Sequence, residues 1–245
     1  MNIDIATLFP EMLENYLSES VVGRARAKNI FTVKCHNIRD YTEDKHRRVD
    51  DTPYSERQGM LMQCQPIYNC YKAVTDGKPK PHVIYMSPQG KTLTQKRAKE
   101  LSRLDSIFIL CGHYEGVDDR IIDKIVDEEI SIGDYVLTGG ELPALVLVDC
   151  VVRMLEGTLS QTDCYEDESH YSGLLEYPQY TRPEVWDGRQ VPTVLLSGNH
   201  AKIAEWRREQ AVISTYRKRP ELLEKCPLTE KDLAIIHKFA DNEEK

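Results

Sequence analysis

The chain has 245 residues, of which 40% are hydrophobic and 29% are charged, and its formal net charge is −8. This length suits one large domain or a main domain with a small second one, and the composition is that of an ordinary globular protein. Because no apolar run approaches the roughly 20 residues of a membrane helix and the N-terminus lacks a signal-peptide pattern, we expect a cytoplasmic protein without a membrane partner.

The first elements of the chain alternate between strand and helix patterns. Residues 3–9 predict a strand, and Pro10 opens a predicted helix that runs to residue 27, with Gly23 weakening its end. Residues 30–36 alternate apolar and polar side chains, which is typical of a second strand. The polar, charged segment 39–58 predicts a long loop, and loops of that length in compact domains are usually functional or disordered.

A helix is predicted after Pro66, followed by two strand–turn–helix units. In the first unit, residues 82–86 predict a short strand, residues 87–90 a turn, and Thr92 a capping box for a helix that ends near residue 104. In the second, the nearly all-apolar segment 106–111 predicts a buried parallel strand.

Glycine-rich breaks follow the later strands. The turn 112–116 contains two glycines and precedes a helix with acidic residues in its first turn. Segments 129–132 and 135–137 predict short extended pieces, Gly139-Gly140 breaks the chain, and Pro143 suits the start of an apolar helix that ends near residue 155. Alternating strands and helices predict an α/β fold with a mostly parallel sheet.

Three turns, at residues 87–90, 112–116 and 131–141, follow consecutive strands of this predicted sheet. Ligands of such sheets bind outside the carboxyl ends of the strands. Glycine allows a ligand to approach the backbone closely, and three such turns together favour a cofactor site over simple tight turns. Neither a Walker loop nor a Gly-x-Gly-x-x-Gly fingerprint is present in the sequence.

The C-terminal part of the chain differs in pattern. Residues 158–172 are polar and acidic and predict a linker, and residues 173–245 predict a second, small unit. Asn199 can cap a helix that carries Arg207 and Arg208, and Thr229 can cap a last helix. Two basic clusters stand out on an acidic chain, and either a local phosphate-binding surface or ordinary solvated surface explains them: Arg39, Lys45, Arg47 and Arg48 with His46, and Lys202, Arg207, Arg208, Arg217, Lys218 and Arg219.

The seven cysteines are odd in number and form no Cys-x-x-Cys pair. This argues against both a disulfide framework and a zinc site. We therefore expect reduced thiols and no metal.

Several long stretches carry a family resemblance: residues 7–10, 37–40, 44–51, 87–90, 114–116, 130–143 (Ile-Ser-Ile-Gly-Asp-Tyr-Val-Leu-Thr-Gly-Gly-Glu-Leu-Pro), 177–183 and 196–200. These stretches resemble motifs of the bacterial tRNA (guanine-N1)-methyltransferase family, which modifies the guanine just 3′ of the anticodon. The resemblance covers nearly the whole chain.

The resemblance implies a SPOUT-type methyltransferase domain with a trefoil knot over residues 1–157, a linker over 158–172 and an α-helical tRNA-binding domain over 173–245. It also implies a homodimer with the active site at its interface and tRNA bound across it. The resemblance places S-adenosylmethionine in the three turns, with these contact residues: Tyr85, Met86, Ser87, Pro88, Gln89, Gly112, Glu115, Ser131, Ile132, Gly133, Asp134, Tyr135, Val136, Leu137, Gly139, Gly140, Pro143 and Glu176.

The reaction itself requires two further groups. Guanine N1 is protonated at neutral pH, so alkylation needs a base for that proton and a cation for the charge that moves onto O6. By resemblance, Arg153 is the cation, although an arginine also suits a helix C-terminus. Counting back from Gly173 places Glu168 at the family's base position, with Asp167 one residue away. His46 and Asp50 fall in the RNA-facing loop, where His46 could also be an ordinary exposed histidine.

The sequence departs from the family at two places. Segment 55–58 reads Ser-Glu-Arg-Gln where the family has mostly glycine, and Glu168 replaces an aspartate. A glutamate is one methylene longer, and a misplacement of about 1 Å can reduce a rate about 100-fold. Two alternatives therefore remain beside the active enzyme: a divergent paralogue that binds cofactor or RNA without this methylation or modifies another RNA site, and a plain RNA-binding module, which would leave the glycine turns unexplained.

Overall fold

The computed structural model describes residues 1–54, 59–159, 168–171 and 173–243. Segment 55–58 and Asp167 lie outside these ranges. The chain divides into two compact units, Met1–Ser160 and Gln161–Lys245. The finer division into residues 1–157, 158–172 and 173–245 stays a prediction.

The first unit is an α/β fold built on parallel strands. Its strands are β1 (Asn2–Thr7), β2 (Thr32–Asn37), β3 (Asp50–Asp51), β4 (Leu61–Met62), β5 (His82–Thr92), β6 (Ser106–Cys111) and β7 (Glu128–Ser131). Its helices are α1 (Pro10–Leu17), α2 (Ser20–Ala27), α3 (Cys64–Thr75), α4 (Gln95–Leu101), α5 (Asp119–Ile125) and α6 (Glu141–Val152), with a 3-10 turn at Ile38–Tyr41. Five strands form one sheet in the order β2–β1–β6–β5–β7, with all neighbours parallel, which confirms the predicted fold class.

Alternating side chains of the strands build a core on each face of the sheet. Ile107 and Ile109 of β6 pack with apolar residues of α1, α2, α4 and α6, whereas Phe108 and Leu110 pack with residues of α3 and α5. Because successive side chains of a strand point to opposite faces, an all-apolar strand such as β6 needs helices on both sides. The trefoil knot that the resemblance implies stays a prediction.

The predicted helix over residues 10–27 is wrong as one element. The structure breaks it into α1 and α2 at Ser18 and Glu19, and Ser20 has a positive φ of 56°. Gly23 explains the break, because a Cβ there would lie 2.2 Å from the Ser18 carbonyl oxygen. Gly23 therefore permits a tight corner between two helices rather than weakening the end of one.

The predicted turn at residues 87–90 is also wrong, since β5 continues through it to Thr92. The pairing with β7 shifts register between Met86 and Lys91, so residues 87–90 bulge out of a continuous strand. The helix cap moves accordingly, because the side chain of Thr94, and not that of Thr92, accepts the Arg97 N–H. Residues 135–137 are irregular and not extended strand, because the loop after β7 folds back on itself through a Tyr135 N–H to Gly133 bond.

The second unit is mostly helical. It contains a hairpin of β8 (Val185–Trp186) and β9 (Arg189–Gln190), helices α7 (Thr193–Leu196), α8 (His200–Lys218) and α9 (Glu230–Glu243), and a 3-10 segment at Pro220–Lys225. Asn199 caps α8 by accepting the Lys202 N–H, as predicted. In the described ranges, no helix is both long and apolar enough to cross a membrane.

The predicted cap at Thr229 is confirmed and carries an ion pair. Thr229 and Asp232 exchange hydrogen bonds between side chain and backbone N–H. Arg208 of α8 donates two hydrogen bonds, of 3.0 and 2.8 Å, to the buried Asp232 carboxylate. The Arg208 guanidinium thereby holds the pKa of Asp232 at about 2, below its ordinary value of 3.8.

We expect this pair to make the second unit acid-sensitive. The folded-state pKa of Asp232 lies below the unfolded value, so its contribution is complete above about pH 4 and is lost as pH falls towards 2. Asp232→Asn should lower the free energy of unfolding at neutral pH by about 2 kcal/mol, because it removes a cap and leaves Arg208 unpaired. Urea unfolding at pH 7 and pH 2.5 measures this. A loss in the variant that is equally large at both pH values would contradict the assignment.

Candidate functional site

A cavity of about 310 Å³ lies at the carboxyl ends of β5, β6 and β7. The three segments predicted as turns converge on it, with residues 87–90 as a bulge in β5 and not a turn. Most of the predicted cofactor residues line this cavity: Tyr85, Met86, Ser87, Pro88, Gln89, Gly112, Glu115, Ser131, Ile132, Tyr135, Val136, Leu137, Gly139, Gly140 and Pro143. Gly133 and Asp134 belong to the same loop without lining the cavity. Segments far apart in sequence therefore form one pocket, as the strand order requires.

Two glycines allow two of these turns to cross. The Gly140 N–H donates to the Gly112 carbonyl at 2.8 Å. A Cβ on Gly140 would lie 2.8 Å from Cys111 Cα and 3.0 Å from the Gly112 nitrogen, and one on Gly112 would lie 2.8 Å from the Tyr85 hydroxyl oxygen. Since those neighbours are mostly backbone, any larger residue at 140 must push the two turns apart.

The charge of the cavity wall is negative. Glu115, Asp119 and Glu129 line the cavity, and none of its described lining residues is a lysine or arginine. Tyr85 is buried beneath the turn, and burial together with the Glu129 charge raises its pKa to about 12, so it stays neutral. An acidic, partly apolar pocket of this size suits a small cationic ligand.

His113 is a lining residue that sequence patterns did not single out. Its Nδ1 is buried and has no hydrogen-bond partner in the described part of the chain. This atom lies 3.8 Å from Oε2 of the buried Glu141, whose other oxygen accepts a 2.8 Å hydrogen bond from Thr7. His113 and Tyr114 stand in the middle of the 112–116 turn, and that position is the one signal that could have identified them.

The basic loop that contains His46 and Asp50 is fixed beside the cavity. The Glu115 N–H donates to the Met60 carbonyl and the Met62 N–H to the Gly116 carbonyl, both at 3.0 Å. Asp50 pairs with Met62 across β3 and β4. The Arg39 guanidinium, from the start of the same loop, donates a 3.1 Å hydrogen bond to the Tyr114 hydroxyl. His46 itself is exposed, so it is available to an external partner.

Arg153 lies at the other end of α6 from the cavity. Its N–H caps the helix by donating to the Asp149 carbonyl at 3.1 Å. It lines a second cavity of about 200 Å³ with Tyr16, Asp149 and Thr158 among its neighbours. Ten residues separate Pro143 from Arg153, and at 1.5 Å per helical residue this is about 15 Å, longer than an arginine side chain.

Glu168 and Glu176 belong to the second unit, where one folded segment holds both. The Ser169 hydroxyl accepts the Glu176 N–H at 2.9 Å, and the His170 N–H donates to the Leu174 carbonyl at 2.8 Å. Leu174 is buried. Asp167 cannot be compared, because it lies outside the described residues.

The second basic cluster separates into residues with different roles. Arg208 is committed to Asp232. Arg207 is exposed and stacks on the Tyr177 ring at 4.9 Å, while Tyr177 and Tyr180 both contact Trp206 at ring distances of 6.4 and 6.3 Å. An exposed arginine stacked on aromatic rings can contact the phosphates and bases of RNA. Arg208, in contrast, stabilises the fold through its ion pair with Asp232.

No described group of three or more His, Cys, Asp or Glu side chains could hold a metal ion. The six cysteines within the described ranges are free thiols.

Comparison with known proteins gives a consistent result. The family model described as tRNA (Guanine-1)-methyltransferase TrmD matches residues 1–225. A tRNA (guanine-N(1)-)-methyltransferase of Ruminiclostridium cellulolyticum is 57% identical over 228 residues, 93% of this chain and 98% of the relative. Proteins of the same name from Alkaliphilus oremlandii and Clostridioides difficile are 53% and 51% identical, covering 98% and 92% of this chain and 98% of each relative.

Proposed function

This chain belongs to the tRNA (guanine-1)-methyltransferase family, and from that premise we propose that it transfers a methyl group from S-adenosylmethionine to N1 of the guanine immediately 3′ of the anticodon in tRNA. It is a methyltransferase acting on tRNA guanine, as its close relatives are. No finding favours the divergent paralogue or the plain RNA-binding module. The observation that carries the cofactor assignment is the acidic cavity where the three turns meet. A tRNA substrate also supports a cytoplasmic location.

The cavity fits S-adenosylmethionine in size and charge. Its volume of about 310 Å³ is within the range of small-molecule sites. The sulfonium and ammonium groups of this cofactor are cationic, and the Glu115 and Glu129 carboxylates offer the complementary charge. When bound, the cofactor supplies an already activated methyl group, so the protein has only to position it in line with the acceptor nitrogen.

The remaining steps fall to this chain's own side chains. We assign the removal of the N1 proton to the Glu168 carboxylate, with Asp167 as the alternative, and the stabilisation of negative charge on O6 to the Arg153 guanidinium. His46 and Asp50 act on the RNA side, and Arg39 links their loop to the cavity wall through Tyr114. Glu176 is assigned to the ammonium group of the cofactor.

A second copy of the chain is part of this proposal. Arg153 lies about 15 Å from the cofactor cavity along α6, so one chain does not bring the two together. Exposed apolar residues lie along two neighbouring helices, with Leu142 and Val146 on α6, Met12 on α1 and Phe9 immediately before α1. Tyr16 joins these residues through its 2.5 Å hydrogen bond to Asp149. Such a patch favours burial in a homodimer, which would bring Arg153 of one copy to the cavity of the other.

The dimer can be tested at Val146, whose exposure is 41%. Val146→Glu should convert the dimer into a monomer at micromolar concentration and reduce methyl transfer at least 100-fold, because it places a charge in the apolar patch. Leu233→Glu is the matched control, since Leu233 is 45% exposed on α9. Sedimentation velocity measures both variants. A Val146→Glu protein that remains a dimer would refute the proposed interface.

The activity is tested by a substrate comparison. Purified protein, labelled S-adenosylmethionine and an unmodified tRNA that carries guanine 3′ of the anticodon should give labelled tRNA. The same tRNA with adenine at that position should give none. Equal labelling of both would contradict the proposed site of modification.

A further inference from the structure

A buried hydroxyl in α8 holds the segment that carries the proposed base. Thr215 is fully buried, with an exposure of 0%. Its Oγ1 accepts the Leu175 N–H at 2.9 Å and donates to the Ala211 carbonyl at 2.7 Å. Both hydrogen-bonding capacities of this hydroxyl are therefore used, one by its own helix and one by a segment 40 residues away.

The segment held by Thr215 is a closed arch, which we define as residues 168–171 and 173–176. Its two arms are joined by the bond from the Glu176 N–H to the Ser169 hydroxyl and by the bond from the His170 N–H to the Leu174 carbonyl. Gly173 turns the arch with a φ of +89°. Leu174 within the arch is buried, with an exposure of 1%.

Two carboxylates depend on this arch. Glu168 begins it and Glu176 ends it, and Ser169, the neighbour of Glu168, is bonded directly to the backbone of Glu176. A loop base is effective only when its carboxylate is held near the productive geometry, since small displacements reduce rates strongly.

We propose that Thr215 is a positioning residue for methyl transfer, which acts through the Leu175 N–H and Ser169 to fix the Glu168 carboxylate. This rests on the proposed function, in which Glu168 is the base. Thr215 has no contact with substrate in this proposal. Its role is to keep the arch in one conformation.

Substitutions at Thr215 separate the effect of losing the hydroxyl from the effect of changing the side-chain volume. Thr215→Val keeps the shape but removes the hydroxyl, so the single-turnover rate at saturating cofactor and tRNA should fall about 10-fold, with the dissociation constant for tRNA within twofold of wild type. Thr215→Ser restores the hydroxyl and should recover the rate to within twofold. Ser169→Ala, on the less buried side of the arch, should also lower the rate. It replaces Thr215→Val as the test variant if Thr215→Val fails to fold.

Thr229→Val is the matched control, because Thr229 also uses its hydroxyl in this unit but caps α9 instead of holding the arch. It should melt at a lower temperature yet keep the wild-type rate. A wild-type rate in Thr215→Val, a loss that appears only as weaker tRNA binding, or an equal loss in Thr229→Val would overturn the proposal.

Amide hydrogen exchange keeps this test independent of the proposed function. Thr215→Val should accelerate exchange at the Leu175 and Glu176 amides, whereas Thr229→Val should not. If the wild-type protein transfers no methyl group, the proposed function fails. The exchange result still reports whether the Thr215 hydroxyl holds the arch. Unchanged exchange at both amides in Thr215→Val would show that the Thr215 hydroxyl does not hold the arch.

Discussion

Replacing Glu168 by glutamine lowers the rate of methyl transfer by about 100- to 10,000-fold, the range expected for the loss of a general base. Glutamine keeps the size of the side chain but cannot take the guanine N1 proton. The proposed cofactor cavity is lined by other residues, so the affinity for S-adenosylmethionine should stay within twofold of wild type. Single-turnover kinetics and calorimetry measure the two quantities.

The same experiment on Asp167→Asn decides between the two neighbouring carboxylates. We expect its rate to stay close to wild type, because Glu168 occupies the family's base position. A large loss confined to Asp167→Asn would transfer the role of base to Asp167. Arg153→Ala completes the set and should lower the rate, because the negative charge that develops on guanine O6 loses its proposed cation.

Gly140→Ala should reduce cofactor affinity by about 10- to 100-fold, which corresponds to the cost of forcing one extra carbon into a packed site. The added Cβ would lie 2.8 Å from Cys111 Cα and 3.0 Å from the Gly112 nitrogen, and neither backbone atom can move without opening the crossing of the two turns. Titration calorimetry with S-adenosylmethionine measures the change in affinity.

Gly77→Ala is the control for the glycine substitution itself. Gly77 also belongs to the first unit, with a φ of +66°, but a Cβ there meets nothing within 4 Å. It should cost about 1 kcal/mol of stability through backbone strain and leave cofactor affinity unchanged. Wild-type affinity in a folded Gly140→Ala protein would show that the crossing does not shape the cofactor site.

Much of this fold is visible in the sequence because local signals agree with the final structure. Residues 106–111 predict β6 with its observed bounds, since an all-apolar strand has to be covered on both faces. Asn199 and Thr229 mark the starts of α8 and α9 because their side chains satisfy backbone donors at those ends. The glycine-containing segments that follow consecutive strands predict the pocket because parallel strands bring their carboxyl ends together, although residues 87–90 form a strand bulge and not the predicted turn.

The features that the sequence does not reveal depend on contacts between distant residues. The break between α1 and α2 follows from the approach of Gly23 to the Ser18 carbonyl, which periodicity does not encode. The continuation of β5 through residues 87–90 depends on its pairing with β7. Likewise, nothing in the pattern around His113 predicts its buried Nδ1 beside Glu141.

The different roles of Arg207 and Arg208 follow the same rule. The two are adjacent in sequence and equally basic, but neighbouring positions of a helix point about 100° apart. Arg208 therefore reaches the buried Asp232, whereas Arg207 stacks on the Tyr177 ring. Charge counting alone places both in one basic cluster and cannot separate their roles. Only the partner of each side chain separates the structural arginine from the one that remains exposed.

Nucleoside analysis of the product tests the central claim most directly. After incubation of wild-type protein with S-adenosylmethionine and an unmodified tRNA bearing guanine 3′ of the anticodon, one portion of the tRNA is digested to nucleosides and another to oligonucleotides, and both are analysed by mass spectrometry. We expect 1-methylguanosine, confined to the oligonucleotide that carries that position, and its loss with Glu168→Gln. Absence of 1-methylguanosine with a wild-type protein that binds the cofactor, or methylation at another atom or position, would contradict it.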